Sequence, residues 1–261
     1  MEWLKTSSSF PCMGTLIRIT IHTRDEARAN AAIATAKARF EGLDAILSDY
    51  KPESELNRLC RAPHLTSTRV SADLFTVLSF AQRLALRSHG AFDVTIGART
   101  RGRTGIVGFQ HLALGNQTVT LLQPQMQLDL GGIAKGYAVD RASRVLRDHD
   151  QDRHLVAASG DIRVWDAPPG MAGWAIGLGD RKQAAVLKRC AVSTSGNTFQ
   201  PGHILDPRTL VPIESRDTLT IVARDGITAD GLATACMVLK PTERDELLRQ
   251  YPGTKLSVAA G

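Results

Sequence analysis

Residues 15–23, Thr-Leu-Ile-Arg-Ile-Thr-Ile-His-Thr, alternate apolar and polar side chains, a period of two that predicts a strand with one buried face. The period then lengthens. A stripe through Ala27, Ala31, Ala34, Ala38 and Phe40 into Leu43, Ile46 and Leu47 predicts a helix with Asp25 as its N-cap. Ser48 to Leu59 contains Pro52 and opens as a polar turn, and a second helix is expected over Ser71 to Ser88, capped by Ser71 and closed before His89-Gly90. Residues 118–130 read as two short strands around Pro124 that lead into Gly131-Gly132. The next helix carries Ala134, Ala138, Ala142, Val145 and Leu146 on one face. Strands recur at His154–Ser159, Ile162–Trp165, Trp174–Leu178, Ala184–Val192 and Thr218–Ala223, and a last long helix covers about Ala229 to Leu239 with Thr228 as its N-cap. This order predicts an α+β fold of mixed, largely antiparallel sheets with flanking helices. No linker-like run or usable repeat divides the chain, so residues 1–261 are expected to form a single domain or two closely packed lobes.

Composition narrows the class. A chain of 261 residues can bury a substantial core, and 43% hydrophobic with 22% charged residues excludes a disordered or fibrous protein. No apolar run approaches the roughly 18 residues of a membrane span. The start, Met1 to Ser7, lacks a basic segment followed by a long apolar run, which predicts a cytoplasmic protein, or a periplasmic one if an export signal has been removed. Cys12, Cys60, Cys190 and Cys236 are far apart, which argues against a zinc site or a redox dithiol. The net charge of +6 invites a nucleic-acid reading, with Arg99-Thr100-Arg101-Gly102-Arg103 as the densest basic run. That run has no interleaved aromatics and the chain has only 5% of them, so no nucleic-acid partner is expected and an anionic small molecule suits the charge equally well.

The strongest local candidate for such an anion is Leu128-Asp129-Leu130-Gly131-Gly132-Ile133-Ala134-Lys135-Gly136-Tyr137. A short apolar strand is expected to break at two glycines and start a helix with a lysine in its first turn. Free amides and the positive end of the helix dipole attract anions there, and Lys135 adds a full charge. The competing reading is a glycine pair required by sterics and a solvated lysine. Known nucleotide motifs do not fit: in the Gly131 to Gly136 frame Tyr137 occupies the lysine position of a P-loop and Lys135 falls too early, and Ile133 occupies the second glycine of a Rossmann fingerprint.

Three further segments carry polar chemistry. They are Gly90-Ala91-Phe92-Asp93-Val94-Thr95, then Ser193-Thr194-Ser195-Gly196-Asn197 followed by His203-Ile204-Leu205-Asp206-Pro207-Arg208-Thr209, and Thr228-Ala229-Asp230-Gly231-Leu232-Ala233-Thr234. In the last, Asp230 and Thr234 stand four apart on one face of an expected first helical turn. Each has an ordinary structural reading: a helix C-cap, two loops, an acid favoured near a dipole.

In this order, together with Met13-Gly14-Thr15 and the Ser48-Asp49-Tyr50…Ser54-Glu55-Leu56 segment, the motifs resemble the ApbE family of flavin transferases, FAD:protein FMN transferases, from about Phe10 to Leu239. The resemblance implies a Mg²⁺-dependent enzyme that takes FAD as substrate. It breaks the pyrophosphate, joins FMN through a phosphoester to a threonine or serine hydroxyl of a target flavoprotein, and releases AMP. It places FAD contacts on Met13, Tyr50, Ala91, Phe92, Asp93, Asp129, Lys135 and the neighbourhood of Ile204. The metal falls on the carbonyls of Gly132 and Ala233 with Asp230 and Thr234, oxygen ligands of the kind a hard cation prefers. His203 matches the base expected to deprotonate the acceptor hydroxyl, a role suited to imidazole, and it would equally serve to hold the Asp206-Pro207 turn. Tyr50 reads either as the edge of the core or as a ring stacked on a base.

Two departures stand out. Leu210 replaces a glycine common after the Asp-Pro-Arg-Thr turn, and Arg99 to Leu114 is short and basic where relatives often carry a longer aromatic segment. Hydrolysis of FAD to FMN and AMP, or FAD binding without catalysis, would draw on the same residues.

Overall fold

The computed structural model describes residues 2–179, 183–196, 204–215 and 217–259. The chain begins with a hairpin of β1 (Leu4–Cys12) and β2 (Thr15–Thr23) and continues into α1 (Glu26–Leu47), α2 (Glu55–Arg61), β3 (Thr68–Arg69) and α3 (Ala72–Arg87). A short α4 (Gly97–Thr100), β4 (Leu112–Leu114) and β5 (Thr118–Leu121) precede α5 (Ala134–Asp148). Next come β6 (His154–Ala158), β7 (Asp161–Val164), β8 (Trp174–Leu178), β9 (Gln183–Leu187), β10 (Cys190–Gly196) and β11 (Thr218–Ala223), then α6 (Gly226–Val238), α7 (Pro241–Arg249) and β12 (Lys255–Ala259). Among the described residues, a seven-stranded sheet runs β1-β2-β6-β7-β10-β11-β12, every pairing antiparallel. A three-stranded sheet β3-β5-β4 and the β8-β9 hairpin accompany it. The fold is α+β, as the hydrophobic pattern predicts. Among the described residues no helix is long and apolar enough to cross a membrane.

Helices α1, α5 and α6 cover one face of the large sheet, and the main core lies between them. Alternation along the strands then sends a second set of residues to the other face, where Val164, Val192, Trp174 and Ile176 cluster under the β8-β9 hairpin. On β7 this leaves Asp161 and Arg163 facing the helices, both buried. Polar side chains at that depth must find hydrogen-bond or charge partners among the elements packed on them.

Several elements differ from the pattern reading. On α1 the buried stripe is Ala29, Ala32, Ile33, Ala36, Phe40, Leu43 and Leu47, whereas Ala27, Ala31, Ala34 and Ala38 are exposed. The alanines lie on both faces, and the large Ile33 and Phe40 decide which one is buried. The Ser48–Leu59 turn contains α2, capped by Ser54. Past Pro124 there is no second strand, only an isolated parallel bridge of Gln127 to Ile96. Ala184–Val192 is two strands, separated at Arg189, whose φ of 52° breaks the extended run.

Candidate functional site

The segment before α5 is held against the Asp93 motif. The Asp129 amide donates to the Val94 carbonyl at 2.8 Å and the Gly97 amide to the Gln127 carbonyl at 3.1 Å. A side chain at Gly97 would come within 2.7 Å of the Leu128 backbone, so glycine is what allows this approach. Asp129 then bridges two elements: Oδ1 accepts the Gly131 amide at 2.7 Å and Oδ2 accepts the Thr100 hydroxyl of α4 at 2.8 Å. Asp93 is buried and turned inward, its carboxylate accepting the Thr95 amide (2.8 Å) and hydroxyl (2.7 Å) and the Phe109 amide (2.7 Å). Burial raises its pKa against the pull of those hydrogen bonds. Ala91 and Phe92 place their side chains in the core.

Two helices meet at the glycine turn. Gly136 of α5 and Gly226 of α6 touch backbone to backbone, since a Cβ at either would lie 2.2 Å from the carbonyl oxygen of the other. At this separation the Gly136 amide donates to Asp230 Oδ2 at 2.9 Å. Asp140 reaches across from α5 to accept the Gly226 and Ile227 amides at 2.7 and 3.0 Å, satisfying donors at the start of α6. The N-cap of α6 is Asp225, not Thr228, whose amide it accepts at 3.0 Å. Asp230 and Thr234 therefore belong to the body of α6 and not its first turn, where the dipole gives a buried acid little support.

Charge here is concentrated and buried. Asp230 has its pKa pushed up to about 7, first by burial and then by the nearby Asp161 carboxylate, against the pull of Lys135. Lys135 donates from Nζ to the Gly131 carbonyl at 2.9 Å and lies 3.6 Å from Asp161 Oδ2. Burial works against its ammonium form, but Asp230, Asp161 and Asp129 outweigh it and hold the pKa above that of an ordinary lysine. Of the amides expected to face an anion, Gly131's is taken by Asp129 and Gly136's by Asp230. In this structure the turn therefore gathers its own carboxylates around Lys135.

Asp161 is absent from the sequence-derived set. It is buried, and its Oδ1 accepts the Ser193 hydroxyl at 2.6 Å. Its signal was an acid in register with Arg163 on a strand whose alternate residues are apolar.

Thr234 brings neutral oxygen to the same place. Its hydroxyl donates to the Gly132 carbonyl at 3.4 Å, and a Cβ on Gly132 would come within 2.7 Å of it. Ala233, fully buried, precedes it. Among the described residues no three His, Cys, Asp or Glu side chains converge as a metal site. The donor set of Asp230 carboxylate, Thr234 hydroxyl and backbone carbonyl is nonetheless all oxygen, and its acid is raised by burial and by the Asp161 carboxylate despite Lys135, so negative charge is in excess there. Both properties fit a hard divalent cation.

Tyr50 is 86% exposed, with the Arg101 guanidinium 5.5 Å from its ring centroid, so the core-edge reading fails and a ring face is open for stacking. Arg101 also pairs with Asp49 at 2.8 Å, which fastens the Tyr50 loop to the end of α4. Met13 forms the β1-β2 turn with Gly14, both at positive φ, and lines a groove with Cys12, Leu16 and Asp44. Ile204 is buried and its carbonyl accepts the Ile213 amide at 3.0 Å, while Arg208 of the same loop lies against Gly90. The structure thus gathers Asp129, Lys135, Gly132, Asp230, Ala233 and Thr234 at the α5-α6 crossing, with Asp93 and Tyr50 linked through Asp129 and α4. His203 lies outside the described residues.

The sequence profile of the ApbE family matches residues 13–257. The chain belongs to the ApbE family. It is 28% identical to the FAD:protein FMN transferase of Klebsiella pneumoniae, over 91% of this chain and 79% of that protein. To the FAD:protein FMN transferase of Treponema pallidum it is 29% identical, over 92% and 80%. The solved flavin transferase ApbE from Vibrio cholerae superposes with a TM-score of 0.88 at 25% identity, covering 98% of this chain and 94% of that one. The fold of Pseudomonas stutzeri flavinyl transferase ApbE in its apo form also agrees, with a TM-score of 0.88 at 24% identity over 100% and 92% of the two chains.

Proposed function

We propose that this chain, acting as one domain, is an FAD:protein FMN transferase. A threonine or serine hydroxyl of a target flavoprotein attacks the FMN-side phosphorus of FAD. A new phosphoester bond forms, the bond to the AMP phosphate breaks, AMP leaves, and the hydroxyl proton passes to a base, for which His203 is the candidate. The observation that carries this reading is the convergence of Lys135, the Gly131-Gly132 turn, Asp230 and Thr234 at one helix crossing in a chain of this family. Lys135 would hold the pyrophosphate, and Tyr50 would stack on a ring of FAD from the rim. Asp230, Thr234 and the carbonyls of Gly132 and Ala233 would hold Mg²⁺. The ion, when bound, would polarise the phosphoryl oxygens and stabilise charge on the departing phosphate.

The test is to incubate the protein with FAD and Mg²⁺, with and without candidate acceptor flavoproteins, and follow AMP, free FMN and protein-bound flavin. AMP formed in step with flavin attached to the acceptor supports the proposal. AMP with free FMN irrespective of acceptor reassigns the chain to FAD hydrolysis. FAD bound but unchanged in every mixture makes it a binding protein.

A further inference from the structure

The buried Asp161-Ser193 pair has no part in the chemistry above, yet it is built onto Lys135. Asp161 begins β7 and Ser193 lies on the neighbouring β10, both on the helix-facing side of the sheet. The Ser193 hydroxyl donates to Asp161 Oδ1 at 2.6 Å, which leaves Oδ2 turned to the Lys135 ammonium at 3.6 Å. The ammonium is held on its other side by the Gly131 carbonyl at 2.9 Å. The β6-β7 turn supporting Asp161 is itself tied down: the Thr194 amide donates to the Gly160 carbonyl at 3.2 Å, and a Cβ on Gly160 would meet the Thr194 carbonyl oxygen at 2.8 Å. Lysine has four rotatable bonds and substantial rotamer freedom when unrestrained. Here that freedom is removed between the Gly131 carbonyl of the glycine turn and a carboxylate fixed to the sheet.

We infer that Asp161 is a positioning residue of this enzyme, oriented by Ser193, which fixes the Lys135 ammonium beneath the glycine turn so that it meets the pyrophosphate of FAD in one geometry. The inference rests on the flavin-transfer reading of Lys135. Asp161 acts through Lys135 and touches no substrate. Outer partners of this kind typically change affinity or activity by roughly 10–100-fold when removed.

The experiment is a double-mutant cycle of Asp161→Asn and Lys135→Met, with Ser193→Ala as a milder probe, read by FAD affinity and by separate KM values for FAD and acceptor. Asn keeps the size of the side chain and an acceptor oxygen for Ser193, and puts an uncharged amide NH2 in place of the carboxylate oxygen that faces the ammonium. Asp161→Asn should weaken FAD binding and raise the KM for FAD by about tenfold or more, leaving the KM for acceptor unchanged. With FAD affinity read in the absence of divalent cation, so that any effect passed through Asp230 to a bound metal is silent, the same substitution should have no further effect in the Lys135→Met background, because its route through the ammonium is gone. Equal losses in both backgrounds, or equal changes in both KM values, would make Asp161 merely structural and overturn the inference. Unchanged FAD affinity in Asp161→Asn beside a weakened Lys135→Met overturns it too and leaves the function standing. Unchanged affinity in Lys135→Met overturns the phosphate role of Lys135 and the inference with it.

Discussion

Replacing Gly136 by alanine tests the arrangement of the two site helices most directly. In an open helix, glycine to alanine stabilises by up to about 1 kcal/mol, because alanine has less backbone entropy to lose. At Gly136 the new methyl carbon would lie 2.2 Å from the Gly226 carbonyl oxygen, 2.5 Å from the Asp230 Cβ and 2.7 Å from the Gly226 carbonyl carbon. Ordinary contact begins near 3.4 Å, so α5 and α6 would have to separate by roughly 1.2 Å, the difference between 3.4 and 2.2. Two of these neighbours are backbone and cannot rotate away. Overpacking of this kind costs about 1–3 kcal/mol. Loss of the 2.9 Å bond from the Gly136 amide to the buried Asp230 carboxylate adds roughly 1.5–3 kcal/mol. Net destabilisation should be about 2–5 kcal/mol once the propensity gain is subtracted. Gly42 supplies the control: it lies exposed in α1 with nothing within 4 Å of its would-be Cβ, so Gly42→Ala should gain up to about 1 kcal/mol. Urea unfolding of both variants, with the slope of the transition checked for constancy, should give shifts of opposite sign. If Gly136→Ala is as stable as the native chain or follows Gly42→Ala upward, the helices are not in backbone contact and the site geometry built on that contact is wrong.

Other expectations follow from the same site. Asp230→Asn should abolish the dependence of FAD turnover on added divalent cation along with most of the turnover; near-native activity at saturating Mg²⁺ would refute the metal assignment. His203→Ala should cut turnover by about 10²–10⁴-fold while FAD binding, followed by flavin fluorescence, stays nearly constant; affinity lost in parallel would make this histidine structural. Asp140 has its pKa raised to about 6, first by burial and against the pull of Arg163 and the amides it accepts. Because the folded state then binds the proton more tightly than the unfolded chain, stability should fall as pH rises from about 4 to about 6, and level off above. Asp140→Asn should flatten that slope in urea midpoints measured across the window, and an unchanged slope would mean that another group is responsible.

The elements most legible in the sequence are those whose pattern and caps agree. Asp25 and Ser71 cap α1 and α3 as read, and β2, β8 and β11 match their expected bounds, because alternation and turn residues coincide there. The Gly131-Gly132 turn and Lys135 were equally visible as a break between periods. What the sequence could not show is what lies across from what. The Lys135-Asp161 approach depends on a sheet register between β7 and β10 and on two helices close enough for Gly136 to reach Asp230. Alanine-rich α1 misled for a related reason, since small residues fit either face. The edge strand β1 carries polar residues at every position from Lys5 to Ser9 and so lacks a clean alternation, while β12 alternates only over the four residues Lys255 to Val258, too short a run to stand out.

The three carboxylates that share Lys135 have a consequence for the order of binding. The chain as a whole carries a net charge of +6, a field that draws an anion such as FAD toward the molecule from a distance. Close to the glycine turn the sign reverses, because Asp129, Asp161 and Asp230 all act on the one ammonium. An incoming pyrophosphate would meet repulsion where it must settle, and an incoming divalent cation would cross a repelling exterior to reach an attractive centre. Each ligand thus carries the charge that the other lacks. By reciprocity, the factor by which the cation tightens FAD must equal the factor by which FAD tightens the cation, so titrating either at fixed levels of the other reads the same coupling twice.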